Sequence, residues 1–188
     1  MKFTIKNYIE QHNLVIEKLD CQEIEKAVLL IKETIQRGGR VAVCGNGGSA
    51  VAASHYITDW NKMVYTHTKV RFNGVCLSDN VGLITAYSND LSYDDVFSEQ
   101  VKNLLSKGDL LITLSGSGNS ENVVKATNVA KSMAIQTLTI CGYDGGKLKQ
   151  ISDNFVWIRS NDMQLCEDAQ TVFGHIVMKS LCKILISV

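Results

Sequence analysis

Two short polar loops, Gly45-Asn46-Gly47-Gly48-Ser49 and Ser115-Gly116-Ser117-Gly118-Asn119-Ser120, carry the residue types that grip a phosphate ester. Glycines let the backbone approach a ligand closely, and a helix opening at such a loop offers unpaired N–H groups and a partial positive charge. Serine hydroxyls add donors without adding charge. The common nucleotide motifs do not fit. Neither loop has the lysine of a Walker A sequence, and Gly45-Asn46-Gly47 is followed by Ser49 and Ala50 where a dinucleotide fingerprint needs a third glycine. A phosphorylated small molecule is the expected ligand.

Acid–base candidates lie near these loops. His55 and Asp59 are four apart, on one face of the helix expected after the first loop. Glu167 and His175 are eight apart, two helical turns, with Gln170 and Thr171 between them on broadly the same side. Asp79 follows the second apolar run, so it too is expected at the ligand-binding edge. Taken singly these are weak signals. A helical His–Asp pair is commonly a surface or half-buried contact, and His175, within Val172-Phe173-Gly174-His175-Ile176-Val177, also reads as a buried neutral histidine with one hydrogen bond. His12 and His67 are given no role.

The elements that must position these residues follow from hydrophobic rhythm. Apolar runs at 40–44, 72–77, 109–114, 136–141 and 155–159 read as strands. Helices are expected at 48–61, 79–87, 94–106, 120–132, 145–151 and 164–186. Continuously apolar strands alternating with helices predict an α/β fold with a parallel sheet covered on both faces. Ligands of such sheets bind beyond the carboxyl ends of the strands, where both loops fall. Two amphipathic helices, 3–19 and 21–36, precede the first strand, and Gly38-Gly39 stop the second. They pack either on the domain itself or against the same segment of a neighbouring subunit. With no proline, linker or repeat, the 188 residues read as a single domain: a helical pair over 1–37 and a sheet core with its C-terminal helix over 38–188.

Composition narrows the function classes. The chain is 45% hydrophobic, enough for a real core, and its nineteen basic and nineteen acidic residues cancel. No net field draws it to nucleic acid or an anionic membrane. No apolar run approaches the roughly 20 residues of a membrane span, and the start, Met1-Lys2-Phe3-Thr4-Ile5-Lys6-Asn7, lacks the apolar stretch of a secretory signal. Six scattered cysteines form no zinc-finger or disulfide pattern. A cytoplasmic protein is expected.

The first loop with its flanks, His55 six residues beyond Ser49, and the second loop closely resemble the sugar isomerase (SIS) domain, and within it the phosphoheptose isomerases. Leu77-Ser78-Asp79, Ser88-Asn89-Asp90, Asp95-Val96-Phe97-Ser98-Glu99-Gln100, Gly142-Tyr143-Asp144-Gly145-Gly146-Lys147 and Gly174-His175 extend the resemblance over essentially the whole chain. It implies a five-stranded parallel sheet flanked by helices, a flavodoxin-like three-layer sandwich, assembled as a homotetramer with sites at subunit interfaces. It implies interconversion of sedoheptulose 7-phosphate and glycero-manno-heptose 7-phosphate through an enediol. Ser115, Ser117 and Ser120, with Gly116, would hold the phosphate, assisted by Asn46, Gly47 and Ser49. Asp79 and Glu167 would contact substrate, and Asp59 and His175 would carry the catalysis. The family's zinc ligands fall on His55, Asp59, Glu167 and His175.

This chain also departs from the family pattern. Asp59 is one methylene shorter than the usual glutamate, and Glu167 replaces the usual glutamine. Ala52 stands where the family often has a polar residue, and Met63 where many members have arginine, so Asp59-Trp60-Asn61-Lys62 reads as a subgroup feature. Two imidazoles and two carboxylates still suit a divalent metal, with zinc expected. The same scaffold also serves non-catalytic regulators, so a sugar-phosphate-binding interaction protein is the alternative, and an isomerase of a different phosphosugar a further one.

Overall fold

The computed structural model describes residues 4–186. Residue 3, where the first expected helix opens, and the last two residues lie outside them. In chain order the elements are α1 (Ile5–Glu17), α2 (Cys21–Gln36), β1 (Val41–Gly45), α3 (Gly47–Asp59), a π-helical turn (Trp60–Val64), α4 (Tyr65–Thr68), β2 (Gly74–Cys76) and α5 (Val81–Asp90). A 3-10 turn (Tyr93–Asp95), α6 (Ser98–Leu104), β3 (Leu110–Ser115), α7 (Glu121–Ser132), β4 (Gln136–Cys141), α8 (Gly146–Ile151), β5 (Asn154–Trp157) and α9 (Met163–Ile184) complete it. All five strands are parallel, in the order β2-β1-β3-β4-β5, the arrangement of a flavodoxin-like sheet.

Strand alternation divides the core into two halves. Val41 and Val43 of β1 face a cluster built by α2, α3 and α9, with Ile31, Tyr56 and Phe173. Ala42 and Cys44 point the other way, toward Leu77, Phe97 and Val123 beneath α6, α7 and α8. Every residue of β1 and β3 is buried, which explains their largely apolar sequences. The two leading helices pack on their own chain. Val15, Ile24, Ala27, Val28 and Ile31 join the first cluster, and the Tyr8 hydroxyl donates to Asp168 on α9 at 2.6 Å. Their outer faces still show Ile5, Ile9, Leu14 and Leu29.

Helix starts follow their caps. Asp20 accepts from the N–H groups of Gln22 and Glu23, Asn80 from Leu83, and Asp162 from Gln164 and Leu165, each cap stabilising its helix by about 1 kcal/mol. Three expected elements differ, and one of them, the helix read at 94–106, divides into the 3-10 turn and the seven-residue α6. The helix read at 48–61 does not stop there but widens into the π turn and runs to Thr68, where Lys69 adopts a left-handed φ of 64°. The strand read at 72–77 pairs over only three residues because it is an edge, bonded to β1 on one side alone. Among the described residues, no helix is long and apolar enough to cross a membrane.

Candidate active site

The order of strands reverses between β1 and β3, and a crevice opens there beyond their carboxyl ends. The first loop leaves β1 and the second leaves β3, so the sheet topology alone brings the two polar loops together. They line a cavity of about 240 Å³ with Asn46, Gly47, Gly48, Ser49, Ser115, Gly116, Ser117 and Ser120, closed by Met163 and Glu167 from the start of α9. The helices that open into it, α3 and α7, have no side-chain cap bond at their N-termini. The leading N–H groups of α3, and those of Glu121 and Asn122 in α7, are therefore left for a ligand, whereas the Val123 N–H already donates to Asn122 Oδ1 and the Ser120 carbonyl.

The second loop presents hydroxyl donors. Ser115 Oγ accepts from the Gly118 N–H at 3.1 Å, and Ser117 Oγ accepts from the Asn119 N–H at 3.2 Å. These bonds shape the loop while using only oxygen lone pairs. Ser120 Oγ contacts only Ser115 Oγ, at 3.5 Å. The hydroxyl protons can point at an anion.

The first loop works differently. The Ser49 hydroxyl donates to Gln170 Oε1 at 2.9 Å. The Asn46 amide is paired reciprocally with Asn122 at 2.8 and 2.9 Å, and its oxygen also accepts from the Tyr93 hydroxyl at 2.9 Å. Both side chains are committed within the protein, so this loop offers mainly its backbone N–H groups. Gln170 is fully buried, and its Nε2 has no partner among the described residues. Asn122 and Tyr93 carried no signal in the sequence, and Gln170 was placed only on the face of Glu167 and His175, because their partners lie 47 to 121 residues away.

A second cavity, of about 480 Å³, adjoins the first and shares Gly48 and Glu167 with it. Its remaining lining is Val51, Ala52, His55, Asp168 and Thr171. The shared wall is tight: a Cβ on Gly48 would overlap the Glu167 carboxylate. At its far side His55 Nε2 lies 2.8 Å from His175 Nε2, and Asp59 Oδ2 lies 3.6 Å from the former and 3.8 Å from the latter. The structure thus brings together His55 and Asp59 of α3 and His175 of α9. These three can each offer one ligand atom, all within 4.8 Å of one another. Ligand atoms of a tetrahedral zinc site lie about 3.3 Å apart, given metal–nitrogen distances of about 2.0–2.1 Å. The observed separations bracket that value, so the trio fits a divalent ion with one position open.

The other expected site residues fall elsewhere. Glu167 is not part of the trio. It sits just over two turns N-terminal to His175 and lies over Gly48, on the wall between the cavities. Asp79 lines a separate hollow with Ile57, Gly74, Val75, Cys76, Asn80 and Val81 and shares no residue with the phosphate-sized cavity. The reason is topological: β2 lies outside β1, on the side away from the β1–β3 crevice.

Comparison with known proteins agrees with this geometry. The model of the family described as "SIS domain" matches residues 7–142. The chain is 34% identical to the phosphoheptose isomerase of Aliarcobacter butzleri over 183 residues, 96% of this chain and 94% of the relative. It is 35% identical to that of Helicobacter pylori (strain ATCC 700392 / 26695) over 176 residues, 92% and 91% of the two chains. Among solved structures it is similar to the phosphoheptose isomerase of Neisseria gonorrhoeae, with a TM-score of 0.86 and 26% identity over 98% of this chain and 97% of the other.

Proposed function

The chain belongs to the SIS domain family, among the phosphoheptose isomerases, and from that premise we propose that it interconverts sedoheptulose 7-phosphate and glycero-manno-heptose 7-phosphate. The observation that carries this reading is the shared Gly48–Glu167 wall. It joins a cavity suited to a phosphate to one that ends at an imidazole–carboxylate trio. A sugar phosphate laid across that wall has its ester among the serines and its carbonyl end near His55 and His175.

The reaction moves a proton between adjacent carbons while the carbonyl and a hydroxyl exchange places. In this reading Ser115, Ser117, Ser120 and the N–H groups of Gly47, Gly48 and Gly116 hold the phosphate and set register, so binding energy far from the reacting carbons orients them. Asp59 takes the proton from the carbon beside the carbonyl, and His175 moves a proton to and from oxygen. His55 Nε2 and His175 Nε2 face each other, so without a metal one carries a proton that the other accepts. Glu167 is positioned to contact substrate hydroxyls between the two cavities. Asp79 has no support within one chain and would act only on a site completed by another copy.

His55, Asp59 and His175 are the residues that would hold a divalent metal, with zinc the proposed ion. When bound it would supply a positive charge to polarise the substrate carbonyl. Glu167 is left out of this ligand set because it lies with Gly48. The proposal further places the protein in the cytoplasm as a homotetramer, supported by its scattered cysteines and by exposed Ile5, Ile9 and Leu14 of α1 and Val81 of α5.

The test is turnover of sedoheptulose 7-phosphate by purified protein, followed by product appearance, together with metal analysis of unchelated preparations. Conversion at a rate typical of enzymes is expected. Phosphate-ester affinity without isomerisation of any heptose or hexose phosphate would instead make it a binding protein.

A further inference from the structure

We propose that Trp60 is a positioning residue: its indole N–H sets the register of α3 against α9 and so fixes where Asp59 meets His175. The claim rests on the isomerase reading for its kinetic consequence, though not for its geometry.

Trp60 is fully buried at the seam where α3 ends and the π turn begins, one residue after Asp59. Its Nε1–H donates to the carbonyl of Gly174 at 2.9 Å, one residue before His175. One turn earlier on both helices, the Tyr56 hydroxyl donates to the carbonyl of Gln170. The pairs 56 with 170 and 60 with 174 advance by the same four residues, so together they clamp the helices at two points against sliding. Stacking of the Tyr56 and Trp60 rings, 4.9 Å apart and 26° from parallel, stiffens the clamp. Gly174 permits it, because a Cβ there would overlap the Tyr56 ring.

His55 and Asp59 sit one residue ahead of the two clamping side chains, and His175 one residue after the clamped carbonyl. Each is thus turned by about 100° from the buried seam, onto the neighbouring face where the trio meets. The π turn makes this fixation necessary. It carries one residue more than a regular turn, so the helix beyond Asp59 does not continue the ladder that would otherwise define its position. The turn is pinned on its far side by Asn61, which exchanges two bonds with the backbone of Gly74 at 3.0 and 3.1 Å. Asp59 Oδ2 stands only 3.6 and 3.8 Å from the imidazoles, on a short side chain with little reach of its own. A shift of about 1 Å between helices can cost on the order of 100-fold in rate.

The variant Trp60→Phe keeps a large ring in the stack and removes only the donor. We expect kcat on sedoheptulose 7-phosphate to fall about 10- to 100-fold with KM within twofold, because the bond removed, from Trp60 to Gly174, involves neither phosphate loop. Affinity of the chelator-stripped protein for Co2+ alone, read by its visible absorption, should weaken at least fivefold. A variant with lower melting temperature but unchanged kcat and Co2+ affinity shows a merely structural tryptophan and overturns the proposal, as does a rise in KM alone. If Trp60→Phe does not fold, Tyr56→Phe removes the twin bond and is read by kcat and Co2+ affinity alone, because Gln170 also holds Ser49 of the first loop. A wild-type chain without isomerase activity sinks the isomerase reading separately, and Co2+ affinity then decides the role of Trp60. Absence of both activity and Co2+ uptake in the wild type overturns both.

Discussion

The 2.8 Å approach of His55 Nε2 to His175 Nε2 is possible only if one of the two nitrogens is protonated and the other is not, unless a cation intervenes. Asp59 Oδ2 flanks both rings, so removing its charge disturbs whatever occupies that point, proton or metal. Asp59→Asn and His175→Ala are each expected to lower turnover of sedoheptulose 7-phosphate at least 100-fold, the scale of lost acid–base catalysis. Steady-state rates on the purified variants check this, and unchanged turnover in either removes its assigned role. At the other end of the site Ser120 is the cleanest probe, since its hydroxyl touches only Ser115, at 3.5 Å, and caps nothing. A hydrogen bond to a charged phosphate contributes about 1.5 kcal/mol or more, roughly tenfold in affinity. Ser120→Ala should therefore raise KM, and the inhibition constant of inorganic phosphate, about tenfold while leaving kcat within twofold. Equal values for wild type and variant would take the phosphate out of this loop.

At the level of elements, the strand β4 was legible to the residue, because Gln136 to Cys141 is an apolar run between a helix end and a glycine. The π turn was not. Trp60, Met63 and Val64 keep an apolar rhythm whether or not one residue is looped out, and the cause lies in bonds to Gly174 and Gly74, remote in sequence. The same holds for the site. The residue types of both loops and of His55, Asp59 and His175 could be read, whereas their meeting followed only from the family resemblance, because 120 residues separate the two imidazoles. Which donors the first loop retains depended on Gln170, Asn122 and Tyr93, partners no local pattern reveals. Loop-to-strand ties of this kind carry a pH signature. Burial raises the Asp153 carboxyl, but the hydroxyl and N–H of Thr137, together with Lys131, outweigh it and hold the group below the ordinary carboxylate range. A depressed folded pKa contributes stability that is complete above the unfolded value, about 3.9, and is lost as pH falls through the folded one. Asp153→Asn should therefore lower the melting temperature at pH 7, and the gap to wild type should close as the solution is acidified below about pH 4. Melting curves across pH check it; a gap that stays constant into acid would assign the loss to packing.

Across the whole molecule, apolar side chains remain outside in a pattern that single exposed residues do not explain. Helix α5 has no buried residue although its sequence, Val81 to Asp90, is largely apolar or small, and Val81 is 69% exposed. Val51 is 71% exposed on the rim of the cavity that holds His55. A groove of about 390 Å³ between α2 and α9 is lined by Ile24, Val28, Leu29, Ile176 and Ile184. The trio itself is open, with the side chains of His55 and His175 42% and 45% exposed. Water at a developing enediol weakens every charge interaction there, so a chain with this site gains from a partner that covers it. The proposed homotetramer supplies such a cover, and its formation and its activity should then be one property. Val81→Glu places a charge on the exposed side of α5, outside the two cavities at the β1–β3 crevice, though on the lining of the Asp79 hollow. We expect light scattering to show its mass falling from that of four chains to that of one or two, with kcat/KM falling in proportion to the assembled fraction. Diluting the wild type should trace the same line of activity against assembly. Full activity in the dissociated variant would mean that a single chain holds a complete site and that the exposed faces serve another purpose.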